Sequence, residues 1–182
     1  MAVAPVSAFV VCVPAAERLV ADLRERFDAT ARLGMPAHIT LLFPFMDPRQ
    51  ITPELLARAG AALGKVRAFA FRLRRVGRFS ATAYLQPEPA DSFAEMTAAL
   101  VRAFPLFPPY GGEHAGVIPH LTVAHGDASE AQAAAAALEA RLEASGPVQA
   151  QCNSAALIGN ASGRWEEIHR FTLPLDDAPA RR

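Results

Sequence analysis

Residues 35–43 read MPAHITLLF, and residues 117–125 read VIPHLTVAH. Each stretch carries a proline just before a histidine, then an apolar residue, a threonine and further apolar residues. The chain holds five histidines among its 182 residues. From that composition, His followed two positions later by Thr is expected roughly 0.2 times by chance. Two copies in matching context therefore need a cause, and a duplicated fold unit supplies one.

The elements on either side repeat in the same order. Residues 6–13 (VSAFVVCV) are β-branched and aromatic and predict a strand. Pro14 can start the next element, where Leu19, Val20, Leu23 and Phe27 share one helical face. The strand HITLLFPF is closed by Pro44 and the turn-like MDPRQ, and Thr52 then caps a helix reaching about Leu63, with Pro53 at its first position. Residues 68–80 (AFAFRLRRVGRFS) alternate apolar and basic side chains, as a half-exposed strand does. The order then restarts. ATAYLQP (81–87) predicts a strand, and DSFAEMTAALVRAF a helix capped by Asp91 or Ser92. After a Pro/Gly-rich loop comes HLTVAHG, then an alanine-rich helix opened by Asp127 or Ser129, and PVQAQCNSAALIG as one strand. WEEIHRFTLPL adds a closing strand, and DDAPARR is expected to fray.

The sequence repeats thus cover about 6–79 and 81–160, with a closing strand at 165–175, in a single domain of residues 1–182. Long helices and strands in this mixed order predict an α+β fold of mainly antiparallel sheets covered by helices. Packing about a pseudo-two-fold axis would set the two His-x-Thr strands beside each other.

Side chains alternate faces along a strand, so His38 and Thr40 point the same way, as do His120 and Thr122. Each copy then offers an imidazole and a hydroxyl about 6–7 Å apart on one face. An imidazole titrates near neutrality, so one can be neutral and the other protonated at working pH. One base and one acid are what displacement at phosphorus requires, and threonine hydroxyls can donate to non-bridging phosphate oxygens.

With HITL, HLTV and the wider run LRRVGRF…AYLQPEP…FPPYGG…VIPHLTVAHG, the chain resembles the two-histidine (2H) phosphoesterases. These include bacterial 2'-5' RNA ligase-like proteins and 2',3'-cyclic nucleotide phosphodiesterases. The resemblance implies a bilobal fold whose His-x-Thr strands line a central cleft. It also implies catalysis by His38 and His120 without metal or cofactor, with Thr40 and Thr122 on the phosphate. By resemblance alone His120 is the base and His38 the acid. The substrate class implied is a nucleotide or RNA end bearing a 2',3'-cyclic phosphate or a 2'-5' linkage, with hydrolysis or ligation both open. Two rivals stand beside this reading: a non-catalytic RNA-end or nucleotide-binding module, and a metal-dependent hydrolase using His38, His120 and His125.

Other residues are weaker candidates for substrate contact. His125 and Phe43 lie five positions after their histidines, so a regular strand turns both away from the site. Tyr110, in the loop PPYGGEHAG, could stack on a base. Arg78 belongs to the local positive cluster of Arg72, Arg74, Arg75 and Arg78, readable as a solvated sheet face or a backbone-contact patch. His114 and His169 have no partner at ligand spacing, and no zinc-type spacing appears. Cys12 and Cys152 sit in apolar runs and read as buried thiols. Zero formal net charge argues against broad binding to long nucleic acid. With no apolar run long enough to span a bilayer and no signal-peptide pattern, the chain reads as a cytoplasmic monomer. P-loop, G-x-S-x-G and dinucleotide fingerprints are missing from the sequence.

Overall fold

Two four-stranded antiparallel sheets carry the chain, which the computed structural model describes over residues 4–112 and 117–175. The first sheet runs, edge to edge, β2 (His38–Leu42), β1 (Ser7–Cys12), β7 (Ser154–Gly159) and β8 (Glu166–Thr172). The second runs β5 (Leu121–His125), β4 (Thr82–Glu88), β3 (Phe69–Phe79) and β6 (Val148–Cys152). The two orders correspond position by position, with each His-x-Thr strand at an edge beside the first strand of its own half. The third strands are exchanged. β3, from the first half of the sequence, pairs with β4, while β7, from the second half, pairs with β1. PVQAQCNSAALIG is therefore two strands, broken at Asn153, because its two ends belong to different sheets.

The helices cross-brace the halves as well. α1 (Glu17–Phe27) packs on β5, and α4 (Asp91–Ala103) packs on β2. α1 buries Val20, Leu23 and Phe27 along one stripe; Leu19 is only partly buried. α2 (Ala29–Arg32) is a single turn, and α3 (Pro53–Leu63) starts where Thr52 Oγ1 accepts the Leu55 N–H at 3.3 Å. α5 (Ala128–Ser145) is capped by Asp127, which accepts from the Ser129 and Glu130 N–H groups at 2.8 and 3.0 Å. Its buried face is Ala131, Ala134, Ala135 and Leu138, and small side chains there let the helix lie close to the second sheet. The expected cap of α4 is absent: Ala90 precedes it without a side-chain bond, and Asp91 sits inside the first turn, where its charge faces the helix dipole.

One core joins the sheets and helices, including Phe9, Ile39, Leu73, Leu85, Phe93 and Leu121, each at or near zero exposure. Full burial of such side chains contributes roughly 1.5–3 kcal/mol each. A small second cluster of Ala8, Val10, Met35, Ala156 and Ile158 covers the opposite face of the first sheet, with Phe43 and Trp165 against it. Cys152 is buried, its thiol pushed up to about 12 by desolvation, whereas Cys12 is only half-buried. Among the described residues no helix is long and apolar enough to cross a membrane. His114 and residues 176–182 lie outside the described residues.

Candidate active site

Each His-x-Thr strand contains a β-bulge, and at the same place in the motif. Along β1 and β2 the register changes between Phe9 and Val10, leaving Leu41 as the extra residue. Along β4 and β5 it changes between Ala83 and Tyr84, leaving Val123 extra. Two consecutive side chains therefore enter the core in each copy, Leu41 with Leu42 and Val123 with Ala124. Strand parity reverses beyond them. Phe43 and His125, which simple alternation turns away from the site, instead share a cleft with His38, Thr40, His120 and Thr122.

Both imidazoles are anchored alike. His38 Nδ1–H donates to the Pro36 carbonyl at 2.8 Å, and His120 Nδ1–H to the Ile118 carbonyl at 2.6 Å. A carbonyl can only accept, so each Nδ1 carries the proton and each neutral ring keeps Nε2 as its base. The backbone before His38 is itself fixed. Ala37 donates its N–H to Glu17 Oε1 at 2.7 Å and accepts from the Val13 N–H at 2.8 Å. Beneath it, fully buried Arg24 pairs with Asp28 at 2.9 Å and donates to the Met35 carbonyl at 3.0 Å. That guanidinium ties the end of α1 to the segment that delivers His38.

Burial pushes both imidazoles below their ordinary range. His38 is held at about 4, chiefly by desolvation, with the nearby Arg24 charge adding to it against the Pro36 bond and Asp28. His120 is lowered by desolvation, against its bond to Ile118. Desolvation thus works against the charged form of both rings. The apolar surroundings penalise the cation of either ring, so a protonated imidazole here calls for a compensating anion.

The cleft has a volume of about 630 Å³, within the range of small-ligand sites. Among the described residues no lysine or arginine lines it. Its two sides differ. The first sheet offers Ala8, Val10, Met35, Phe43 and Trp165, with Phe43 and Trp165 edge to face at 6.5 Å. The second offers His125 and Thr82, joined Nδ1 to Oγ1 at 2.8 Å, together with Phe79. His120 rests against Phe79 and Tyr84, with ring centroids 5.5 and 5.1 Å away. Gly77 makes room for this: a Cβ there would stand 2.3 Å from the Tyr84 ring.

Tyr110 also lines the cleft, where its phenol shares a side-chain hydrogen bond with Thr40. Arg78 does not line it. Pleating places that residue on the face opposite its neighbour Phe79. Arg72 and Arg75 pair with Glu88 at 3.3 and 2.9 Å, and His169 packs on Phe171 instead. Among the described residues, no group of three or more His, Cys, Asp or Glu side chains could hold a metal ion, so His38, His120 and His125 do not form a ligand set.

Sequence reasoning passed over Trp165, Phe79, Tyr84, Gly77 and the Arg24–Asp28 pair. Only Gly77, a glycine inside a strand pattern, carried a local signal of close approach.

Two anchored imidazoles, each with a threonine on a bulged strand, face one cleft between two sheets; that arrangement defines the two-histidine class. The chain belongs to the 2'-5' RNA ligase superfamily, whose profile matches residues 12–164. Among solved structures it is similar to TT0787 of Thermus thermophilus, at TM-score 0.61 and 16% identity over 94% of this chain and 99% of that one. It is also similar to E. coli LigT complexed with 3'-AMP, at TM-score 0.58 and 18% identity over 93% of this chain and 98% of that one. A protein described as a phosphoesterase gives the same TM-score, identity and coverage. At such identities the likeness establishes the fold. No curated protein matches the chain in sequence.

Proposed function

We propose that this protein is a metal-independent phosphoesterase that opens a 2',3'-cyclic phosphate, or makes and breaks a 2'-5' link, at a nucleotide or RNA end. One observation carries the reading: the same Nδ1-anchored imidazole and bulged threonine strand occurs twice around a single cleft. The phosphorus sits between the two Nε2 atoms. In ring opening His120 takes a proton from water as its oxygen attacks phosphorus. His38 delivers a proton to the departing ribose oxygen as the P–O bond breaks. Ligation is the same ring opening with a 5'-hydroxyl in place of water: His120 takes that hydroxyl's proton as its oxygen bonds to phosphorus, and His38 protonates the ribose oxygen that leaves; cleavage of the 2'-5' link runs this step backward with the two roles exchanged. Thr40 and Thr122 hold the non-bridging oxygens by hydrogen bonds, in keeping with a cleft lined by hydroxyls and imidazoles instead of lysine and arginine. His38, disfavoured as a cation by burial, acquires its proton with the substrate.

The apolar side, with Phe43, Trp165 and Met35, suits a nucleobase, and the His125 side suits the polar remainder. E. coli LigT, which shares the fold, has been crystallised with 3'-AMP, with NADP+ and with ATP, which agrees with a nucleotide ligand. The cleft volume fits a terminal nucleotide better than a long strand.

The test is incubation with the four nucleoside 2',3'-cyclic phosphates, resolving 2'- from 3'-phosphate products by phosphorus NMR, with EDTA present. Turnover by the native protein and its loss in His38→Asn and His120→Asn are expected; asparagine keeps a donor for each carbonyl. Binding without turnover would leave a nucleotide-binding module. Activity abolished by chelation and restored by zinc would return the metal reading.

A further inference from the structure

Among the described residues six large apolar side chains are exposed, and two of them line the cleft: Phe79, 43% exposed, and Ile118, 50% exposed. Both adjoin His120. Phe79 packs on its ring, and Ile118 carries the carbonyl that holds its Nδ1. Apolar surface left open at a binding cleft marks a place for an apolar part of the ligand.

The setting of Phe79 makes it a flat platform. It ends β3 and shares a sheet face with Gly77, two residues before it. Gly77 has no side chain, so the Tyr84 ring, directly across on β4, lies over it. Phe79 stacks on that ring with centroids 4.6 Å apart and planes 30° apart, and buried Tyr84 gives it a fixed floor. His120 stands 5.5 Å from Phe79 and 5.1 Å from Tyr84. An imidazole on the far face of Phe79 would be much farther from Tyr84 than from Phe79. The near-equal distances put His120 beside the stacked pair, and the second face of Phe79 stays open.

Thr82 lies opposite Phe79 on one side and opposite His125 on the other, so the ring and the polar Thr82–His125 pair are neighbours. Each side of the cleft thus carries aromatic surface, Phe43 with Trp165 on one and Phe79 on the other. A cyclic mononucleotide has one base. A 2'-5' link has a nucleoside on each side of the phosphorus.

Resting on the phosphoesterase reading, we propose that the open face of Phe79 is a second base subsite, and that the substrate it completes is a 2'-5'-linked pair of nucleosides. It holds the nucleoside whose 5'-oxygen His120 serves. In ligation that 5'-hydroxyl loses its proton to His120 as its oxygen bonds to phosphorus, and the ribose 3'-oxygen leaves with the proton from His38. In cleavage each bond and proton returns the other way. The base adds a third layer to the stack of Tyr84 and Phe79, and its ribose faces the Thr82–His125 pair.

The test uses two inert diesters. One is 3'-deoxyadenylyl-(2'-5')-adenosine, without the 3'-oxygen needed to form a cyclic phosphate. The other is 3'-deoxyadenosine 2'-methyl phosphate, the same diester without the second nucleoside. Trp165, the chain's single tryptophan, lines the cleft and reports binding of both by fluorescence. The native protein should bind the dinucleoside roughly five- to hundredfold more tightly than the methyl ester, as one base on an aromatic ring gives. Phe79→Ala should remove that advantage and leave the methyl ester unchanged, whereas Phe79→Tyr, which keeps a flat ring, should retain it. Equal native affinity for the two ligands would overturn the proposal, as would loss of the advantage in Phe79→Tyr. An equal loss of both ligands in Phe79→Ala would also overturn it, leaving Phe79 only a support for His120. A native protein that shows the Phe79-dependent preference, yet neither opens cyclic phosphates nor cleaves 2'-5'-linked diadenosine, would refute the catalytic reading and leave the subsite standing. Turnover of cyclic phosphates without the preference would refute the subsite alone.

Discussion

If His38 receives its proton only with the substrate, binding must draw a proton from solution. Burial holds the imidazole at about 4 against an ordinary 6.5, and the difference corresponds to about 3 kcal/mol against the cation. A phosphodiester anion about 4 Å away supplies about 4 kcal/mol of attraction at an effective dielectric constant of about 20. The two nearly cancel, with the anion slightly ahead, so bound His38 should titrate near 7. At pH 6 it is then about 1% protonated when free and mostly protonated when bound, an uptake of about 0.9 proton.

Uridine 2',3'-cyclic phosphate is a suitable ligand, because its diester does not titrate near pH 6. The His120→Asn background removes the partner imidazole and prevents turnover. Calorimetry in buffers of different ionisation enthalpy gives the number of protons from the slope. A slope near +0.9 is expected, falling to near zero when His38→Asn is added. A buffer-independent enthalpy in the first variant would refute the reasoning. So would uptake that survives loss of His38, since another group would then be taking the proton.

Thr122→Val should reduce kcat/KM by about 2–4 kcal/mol of transition-state stabilisation, as loss of one preorganised donor does, with circular dichroism unchanged. A loss below twofold in initial rates would remove Thr122 from the phosphate site. Gly77→Ala should displace the Tyr84 ring that supports His120, lowering activity much more than nucleotide affinity; parallel losses in rate and Trp165 fluorescence titration would contradict this.

Much of the architecture was legible because the apolar period is strong. The phrases around His38 and His120 gave the repeat, and Thr52 and Asp127 gave two helix starts for the physical reason that a side-chain oxygen satisfies open N–H groups there. The strand exchange was not legible. Nothing local in PVQAQCNSAALIG says that its two ends join different sheets, because pairing is decided by the whole fold. The parity of Phe43 and His125 was misjudged for a different reason: alternation was extended through a bulge. A trace of the bulge was present, in adjacent apolar residues after each threonine, Leu41–Leu42 and Val123–Ala124.

Those paired bulges also explain how a duplicated motif can serve an unsymmetrical reaction. Duplication fixes both imidazoles by the same carbonyl bond and turns the same later position into the cleft. What occupies that position is free to differ, and here it is Phe43 on one side and His125 on the other. Phe43 joins Trp165 on an apolar wall, and His125 joins Thr82 at a polar one. A nucleotide is unsymmetrical in the same sense, with a flat apolar base at one end and a hydroxylated sugar and phosphate at the other. Exchanging the two residues, Phe43→His with His125→Phe, would leave His38 and His120 in place while putting the imidazole beside Trp165 and the phenyl ring beside Thr82. The expected outcome is a raised KM for cyclic nucleotides with a smaller change in kcat. An unchanged KM would show that the base is selected elsewhere in the cleft.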